Sequence, residues 1–401
     1  MRRNWFTTSR NLRFLRLFGP AWLVMMADMD ASSTLGAAET GAVFKYGLVW
    51  FLLLLTIPLY FVQEVSGRIG VATGKGFGEI IRENYSKRVA VLLTIPMWLT
   101  DMLTYVVEYL GIAIGLSMVG IPPVVSMPMV FLLHIFIVTK RKYIQAEKYL
   151  LLTSSVMVVA FVLNLAVRGI KPYTPFYFVP SPEFLYLLAV NVGAVIMPFM
   201  LFFQASATAE KVKAISIVKT CEKQEAVSHV RKETFLGALA TEGLMVLVEM
   251  AVAGIDPSTN FASAKDLENA LFAIAGTYSP LIFGIGLTSA GFLALVVISL
   301  GSAWGLLEAL GVPRDRAFVV YVLESVPALV VSLALPASEM LGLLLNLLVA
   351  FVFVLIGPAV VMGLIANNEK VMGELRNTFW QNLAYWSSLA FVVTFGILAV
   401  V

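Results

Sequence analysis

The sequence predicts an all-α polytopic membrane protein with about eleven transmembrane helices. Of its 401 residues, 59% are hydrophobic and 13% are charged, about half the charged fraction of a soluble domain. Apolar runs of roughly 20 residues, the length that crosses a hydrocarbon core of about 30 Å, recur from one end to the other. Two of these runs, five spans apart, are interrupted by polar residues or by proline. Such a pair of broken helices indicates a secondary transporter.

The predicted spans are 19–43, 47–66, 89–118, 123–139, 147–167, 184–209, 235–254, 277–300, 317–336, 340–365 and 380–401. No stretch between them is long enough for a second domain, so we expect one transmembrane transporter domain over residues 1–401. Because five is an odd number, the second five-helix unit must run opposite to the first. We therefore expect two inverted repeats, 1–168 and 183–366, with 380–401 as an extra C-terminal helix.

The basic residues predict the orientation. With the N-terminus inside, the outer loops hold only Lys45, Arg168, Lys171 and Lys265, which leaves 24 of the 28 Lys and Arg on the inner side. This positive-inside bias predicts a cytoplasmic N-terminus in the plasma (cell) membrane. The basic start, residues 2–16, is interpreted as a cytoplasmic tail and not as a removed signal peptide. The net charge of +3 reflects the same bias and does not indicate nucleic acid, and one cysteine, Cys221, excludes a disulfide framework.

The two interrupted spans offer the ligands of a divalent cation. The stretch ADMDASS, 27–33, supplies the carboxylate of Asp30 and the hydroxyl of Ser33, three residues apart and on one face of a nearly helical turn. In the other span, Pro198 removes a backbone donor and leaves the carbonyl of Ala194 without its helical partner. Met197 adds a thioether, which favours a softer transition metal over magnesium or calcium.

Each of these residues also has a structural interpretation. Asp30 could cap the second half-helix through the backbone amides that follow it, and Met197 could be core filler, as most of the 17 methionines must be. Asp28 points away from the face of Asp30, and its role stays open. His134 lies in an apolar span, where a packing histidine with satisfied nitrogens is the expectation.

The segment GPAWLVMMADMDASSTLGAAETGAVFKYGLVW (19–50) resembles the first span of the Nramp divalent-metal transporters, and GAVIMPFMLFFQAS (193–206) resembles their sixth span. SPLIFGIGLTSAGFLALVV (279–297) and MGELRNTFWQNLAYW (372–386) are similar to the eighth span and to the approach to the eleventh. The resemblance implies a LeuT-like fold with eleven helices, alternating access, and a metal held by Asp30, Ser33, Ala194 and Met197. The metal is then a substrate, and no cofactor is expected.

The sequence departs from the family pattern where the family moves protons. Phe199 and Gln204 stand at two family histidine positions, and the acidic pair of the third span is reduced to Tyr105 and Glu108. Asp101, one heptad before Glu108, could replace the missing acid or could lie near an interface. Since the group best suited to titrate near neutral pH is gone, we expect weak or absent proton coupling. Candidates for a remaining proton or ion path are Glu108, Asp101, Gln204 and Glu242.

Four hypotheses follow from these residues. The first is an importer of Mn²⁺ or Fe²⁺, and the close rival is an uncoupled Mg²⁺ carrier of the Nramp-related type, because Ser33 leaves a wider site. A third is an amino-acid carrier of the same fold, although Asp30 would repel a substrate carboxylate, and a fourth is a receptor that has lost transport. No nucleophile–base constellation or phosphate loop suggests an enzyme. Beyond the metal ion and the bilayer, no obligatory partner is implied, and the role of Glu249 stays open.

Overall fold

The computed structural model describes residues 17–140, 143–216, 220–335 and 337–398, and within these ranges the chain is helical with no strand. The helices are α1 (Pro20–Asp28), α2 (Ala31–Phe44), α3 (Val49–Thr73), α4 (Phe77–Asn84), α5 (Lys87–Met118), α6 (Pro123–Lys140), α7 (Tyr143–Arg168), α8 (Pro182–Val195), α9 (Pro198–Ala214), α10 (Thr220–Val252), α11 (Ala264–Ala275), α12 (Tyr278–Leu310), α13 (Ala317–Ala334), α14 (Ala337–Asn367), α15 (Glu369–Met372) and α16 (Phe379–Leu398). Several parts of the sequence lie outside the described residues. Among them are the basic tail 2–16, residues 141–142, and residues 399–401 at the end of the last predicted span.

Both predicted interruptions are present, and each divides a span into two half-helices. The first break falls at Met29 and Asp30, and the second at Ile196 and Met197, where the backbone is not helical. The first interruption is shorter than the polar stretch 30–33, DASS, that marks it in the sequence. Residues 31–33 are already helical, because Asp30 is the N-cap of α2 and nucleates that helix.

The number of spans agrees with the prediction. Among the described residues, ten helical segments are long and apolar enough to cross a membrane, with α8 and α9 taken together. The pair α1–α2 adds the eleventh. Most predicted bounds are close to the observed ones, but three are not. Helix α10 begins at Thr220 and not at 235, α12 ends at Leu310 and not at 300, and α3 ends at Thr73 and not at 66. The sequence did not predict α4 and α11, which lie between spans.

The broken helices form the centre of the bundle. Residues 184 and 187–209 of α8 and α9 are buried, and so is nearly all of α1 and α2. By contrast, α6 and α16 carry large exposed apolar side chains, among them Leu132, 67% exposed, and Trp380, 73% exposed. A surface of this kind is stable only against lipid or another apolar partner. The central helices are thus shielded by a ring of lipid-facing ones.

The start of α1 is fixed to its neighbours by charged groups. The Oε1 atom of Glu233 on α10 accepts hydrogen bonds from the backbone N–H groups of Gly19, at 2.7 Å, and Trp22, at 2.9 Å. These are unpaired donors of the first helical turn. Beside them, Lys211 Nζ lies 2.5 Å from Glu147 Oε2 and 3.2 Å from the carbonyl oxygen of Phe18. The start of the first span is therefore held to α7, α9 and α10.

A second set of charged groups lies at the same end of the molecule and joins α3 to α10. The fully buried guanidinium of Arg68 donates two hydrogen bonds to Glu64, and it also donates to the carbonyl of Leu375 and to the side chain of Asn377. Arg231 on α10 lies 2.7 Å from Glu64 Oε1. The C-terminal segment is thereby tied to the bundle.

Candidate functional site

Asp30 uses one carboxylate oxygen to cap α2. Its Oδ1 atom accepts hydrogen bonds from the backbone N–H of Ser33, at 2.6 Å, and from the hydroxyl of Ser32, at 2.7 Å. Its Oδ2 atom is buried and accepts no hydrogen bond from the described part of the chain. Asp30 therefore caps the half-helix, as the structural interpretation required, and still has an oxygen available for a ligand.

Ser33 joins the two broken helices. Its hydroxyl donates to the carbonyl oxygen of Ala194 at 3.4 Å. In a continuous helix that carbonyl would pair with the N–H of residue 198, which is proline and has none. Asp30, Ser33 and the Ala194 carbonyl are thus brought to one place at the two breaks.

Met197 belongs to the same break as Ala194. It is the N-cap residue of α9, it is fully buried, and its backbone N–H points to the sulfur of Met200 at 3.3 Å. A proline disfavours the helical conformation at the residue before it, and Met197 is extended here. Among the described residues, no three His, Cys, Asp or Glu side chains group closely enough to hold a metal. A cation here would depend on the mixed set of carboxylate, hydroxyl, carbonyl and thioether.

Glu108 lies at the first break. Its Oε2 atom accepts a hydrogen bond from the backbone N–H of Ala31 at 3.0 Å, and its carboxyl group is a close neighbour of Asp30. The helix α5 can approach this far because residue 111 is glycine. A Cβ atom on Gly111 would lie 2.2 Å from the Cβ of Ala31.

Asp28 and Glu242 lie on the other side of the first break. Asp28, the last residue of α1, is 3% exposed, and Glu242 on α10 is fully buried. Each carboxyl group is within electrostatic reach of the other. In the described part of the chain, Asp28 Oδ1 and both carboxyl oxygens of Glu242 have no hydrogen-bond partner.

Gln204 and Glu249 are directed to other contacts. The Nε2 atom of Gln204 donates to the hydroxyl of Thr234 on α10 at 3.0 Å. Glu249, one heptad after Glu242, accepts the backbone N–H of Leu48 at 3.0 Å and so caps the start of α3. This contact assigns a structural role to Glu249, which the sequence left open.

Asp101 lies in a buried polar network away from the two breaks. Its neighbours there are Glu324 on α13 and Ser302 on α12. Ser302 donates to Glu324 Oε1 at 2.6 Å, and the hydroxyl of Tyr105 donates to Glu324 Oε2 at 2.8 Å. The full burial of Asp101 argues against a position near an interface, and its replacement of the missing acid stays a prediction.

His134 extends this network. Its Nδ1 atom lies 3.1 Å from the hydroxyl of Tyr109, and its Nε2 atom lies 2.7 Å from the hydroxyl of Ser299. Both ring nitrogens are therefore satisfied, as expected for a packing histidine. The sequence analysis missed Glu324, although an isolated acid halfway along an apolar span is itself a signal of a buried polar site.

Comparison with known proteins identifies the family. Residues 21–401 match the family model described as natural resistance-associated macrophage protein-like, Nramp. The chain belongs to the Nramp family. Among its relatives, a protein named divalent metal cation transporter MntH from Bacillus subtilis (strain 168) is 25% identical over 407 residues, covering 96% of this chain and 92% of the relative. The MntH of Agrobacterium fabrum (strain C58) is 24% identical, covering 93% of this chain and 84% of the relative.

Solved structures agree on the fold. A crystal structure of the Eremococcus coleocola manganese transporter, in complex with an aromatic bis-isothiourea compound, matches all of this chain and 88% of the other with a TM-score of 0.80 at 16% identity. A crystal structure of MhsT in complex with L-phenylalanine matches 94% of this chain and 97% of the other, with a TM-score of 0.55 at 13% identity. The Nramp chain described here is therefore a multi-pass membrane protein with the LeuT-like fold. The predicted fold class is confirmed.

Proposed function

We propose that this Nramp chain is a secondary transporter that imports divalent metal cations by alternating access, with Mn²⁺ or Fe²⁺ as its first substrates. The observation that carries the proposal is the junction of the two breaks. There, Asp30 Oδ2 and the Ala194 carbonyl lie in a buried site bridged by Ser33. A buried carboxylate in a membrane is costly unless a cation or a proton compensates it.

The proposed ligands are Asp30, Ser33, Ala194 and Met197. The carboxylate, hydroxyl and carbonyl oxygens suit any divalent cation, and the thioether of Met197 makes the site prefer softer ions. The names of the relatives support this proposal, since they are described as divalent metal cation transporters and as a manganese transporter.

Proton coupling is proposed to be weak or absent. Phe199 replaces a titratable group beside the second break, and Gln204 donates to Thr234 in place of a proton-carrying side chain. An inside-negative potential acting on two positive charges supplies about 4.6 kcal/mol per 100 mV. This is sufficient to concentrate a divalent cation without protons.

A specific observation also supports the uncoupled Mg²⁺ carrier as a second candidate. The hydroxyl of Ser33 reaches less far than the amide that the family has at this position, and a site with more room suits an ion that keeps its waters. The amino-acid carrier is the weaker alternative. MhsT shares only the fold, and Asp30 would repel a substrate carboxylate.

The test is uptake into liposomes that hold the purified protein, with a potassium-diffusion potential and dyes for Mn²⁺, Mg²⁺ and internal pH. We expect Mn²⁺ entry without acidification, abolished by Asp30→Ala. Equal Mg²⁺ entry would favour the second candidate. Acidification in step with the metal would refute uncoupling and direct attention to Glu108, Asp101 and Glu242. Folded protein without flux of either ion would refute transport.

A further inference from the structure

The first break has a second acidic face, separate from Asp30. Asp28 and Glu242 are both buried, on two helices that pack together. Glu233 on α10 holds the start of α1, and a Cβ atom on Gly237 would lie 2.7 Å from Met25 Cγ, so Glu242 lies near the level of Asp28.

Three of the four carboxyl oxygens of Asp28 and Glu242 have no hydrogen-bond partner among the described residues. By comparison, the neighbouring acids at Glu108 and Glu249 each accept a backbone N–H. Asp28 and Glu242 therefore lack the backbone contact that holds Glu108 and Glu249.

The end of α1 adds negative potential at the same place. Asp28 is the last residue of that half-helix, and the carbonyl groups of a helix C-terminus attract cations. The N–H of Ala31, which would pair with the Ala27 carbonyl in a continuous helix, pairs with Glu108 instead. Broken helices in transporters bind cations at such C-terminal ends.

The packing of α3 against α10 places a further oxygen at this level. The two helices are antiparallel, since Leu48 contacts Glu249 and Glu64 contacts Arg231. Thr56 lies midway between residues 48 and 64 and is therefore level with residue 240, less than one helical turn along α10 from Glu242. Its buried hydroxyl also has no partner in the described part of the chain.

On α1, α2 and the adjoining parts of α3 and α10, no basic side chain is present to balance these charges. Residues 20–44, 49–67 and 233–252 contain neither Lys nor Arg. Two buried carboxylates with hydroxyl and carbonyl oxygens are a donor set for a hard cation, and a divalent ion balances their charge.

We propose that Asp28 and Glu242, together with the C-terminal carbonyls of α1, form a second cation position that takes a hard divalent ion such as Ca²⁺, Mg²⁺ or Mn²⁺. It is distinct from the position at Asp30, because it contains no thioether and lies on the α10 side of the break. The inference does not depend on transport, since binding is measured without flux.

The experiment counts Mn²⁺ bound to the purified full-length protein in detergent, by equilibrium dialysis at saturating metal. We expect two ions per chain in the wild type, and one in Glu242→Gln. Asp30→Ala is also expected to retain one. The matched control is Glu249→Gln, a buried acid on the same helix whose amide oxygen still accepts the Leu48 N–H. This variant should bind two ions.

Electron paramagnetic resonance and Ca²⁺ competition separate the two positions. Two neighbouring Mn²⁺ ions broaden each other's spectrum, so both single-site variants should lose this broadening. Ca²⁺ should displace the ion at Asp28 and Glu242 first, because that position contains only oxygen. One ion in the wild type, or an unchanged count in Glu242→Gln, would overturn the proposal. A count of one in Asp30→Ala without any uptake in liposomes would support it even if the proposed transport failed.

Discussion

In the proposed site, one carboxylate oxygen of Asp30 has a structural task as a helix cap, and the other has a chemical task as a cation ligand. The cap on α2 and the bond from Ser32 occupy Oδ1, while Oδ2 stays buried without a hydrogen bond from the described residues. The sequence presented the cap and the ligand as alternatives, but a carboxylate has acceptor sites on both oxygens. The cap also orients the side chain, so the structural task supports the chemical one.

We propose that Met197 makes the site prefer Mn²⁺ over Mg²⁺ or Ca²⁺. Met197→Ala removes the thioether but leaves the oxygen ligands of Asp30 and Ala194 in place. We expect the preference for Mn²⁺ over Mg²⁺ or Ca²⁺ in liposome uptake to fall about tenfold, which corresponds to about 1.4 kcal/mol. The control is Met157→Ala, an equally buried methionine on α7. An unchanged preference in Met197→Ala would assign Met197 to packing.

How far single residues could be predicted depended on whether their signal was local. Asp30, Ser33 and Ala194 were found because polar residues and a proline interrupt apolar runs. Their contact across 161 positions was implied only by the family resemblance. The role of Glu249 was out of reach, because its partner is the backbone N–H of Leu48, 201 positions away. A backbone partner leaves no trace in composition or periodicity.

At the scale of elements, Glu249 fixes the start of α3 to α10. In Glu249→Ala the N–H of Leu48 is buried without an acceptor, which costs about 1–3 kcal/mol. We expect a clear fall in the thermal unfolding temperature of the detergent-purified protein. Glu249→Gln retains an acceptor oxygen and should unfold close to the wild type. Equal losses in the two variants would indicate that the charge matters and not the cap.

The broken helix α8–α9 depends on a close approach to α14. A Cβ atom on Gly193 would lie 1.8 Å from the backbone carbonyl oxygen of Leu348. Gly193→Ala must therefore displace α14, and overpacking of this kind costs about 1–3 kcal/mol. The matched control is Gly243→Ala on α10, where a Cβ meets nothing within 4 Å in the described part of the chain.

Thermal unfolding separates these two glycines. We expect Gly193→Ala to lower the unfolding temperature and Gly243→Ala to raise it slightly, because alanine in a helix is favoured over glycine by about 0.5–1 kcal/mol. A Gly193→Ala protein as stable as the wild type would contradict the observed packing of α8 against α14.

Proline alone did not predict where helices break. Pro58, Pro96, Pro128, Pro327 and Pro358 lie inside continuous helices. At Pro198, by contrast, the chain separates into two half-helices. There the preceding Met197 is extended, and the freed Ala194 carbonyl contacts Ser33. Neighbouring groups can satisfy a carbonyl freed by proline. The tertiary partner therefore decides the outcome, and a single span does not reveal it.

At the scale of the whole molecule, the charges concentrate at the end where α1 begins. Glu233 holds the first turn of α1, Lys211 pairs with Glu147, and Arg68 ties the C-terminal segment to α3. The positive-inside bias predicts that this end faces the cytoplasm. The charged groups that predict the orientation thus also hold α1, α3 and the C-terminal segment together at that end.

The orientation itself can be tested with the native cysteine. Cys221 is exposed at the start of α10, and a helix of 33 residues is about 50 Å long, so its other end lies across the bilayer. In intact cells, a membrane-impermeant maleimide should leave Cys221 unlabelled until the membrane is permeabilised. In a Cys221→Ser background, Glu268→Cys on α11, beyond the far end of α10, should label at once. The reverse pattern would place the N-terminus outside, and the start of α1 with its charged contacts would then face the external medium.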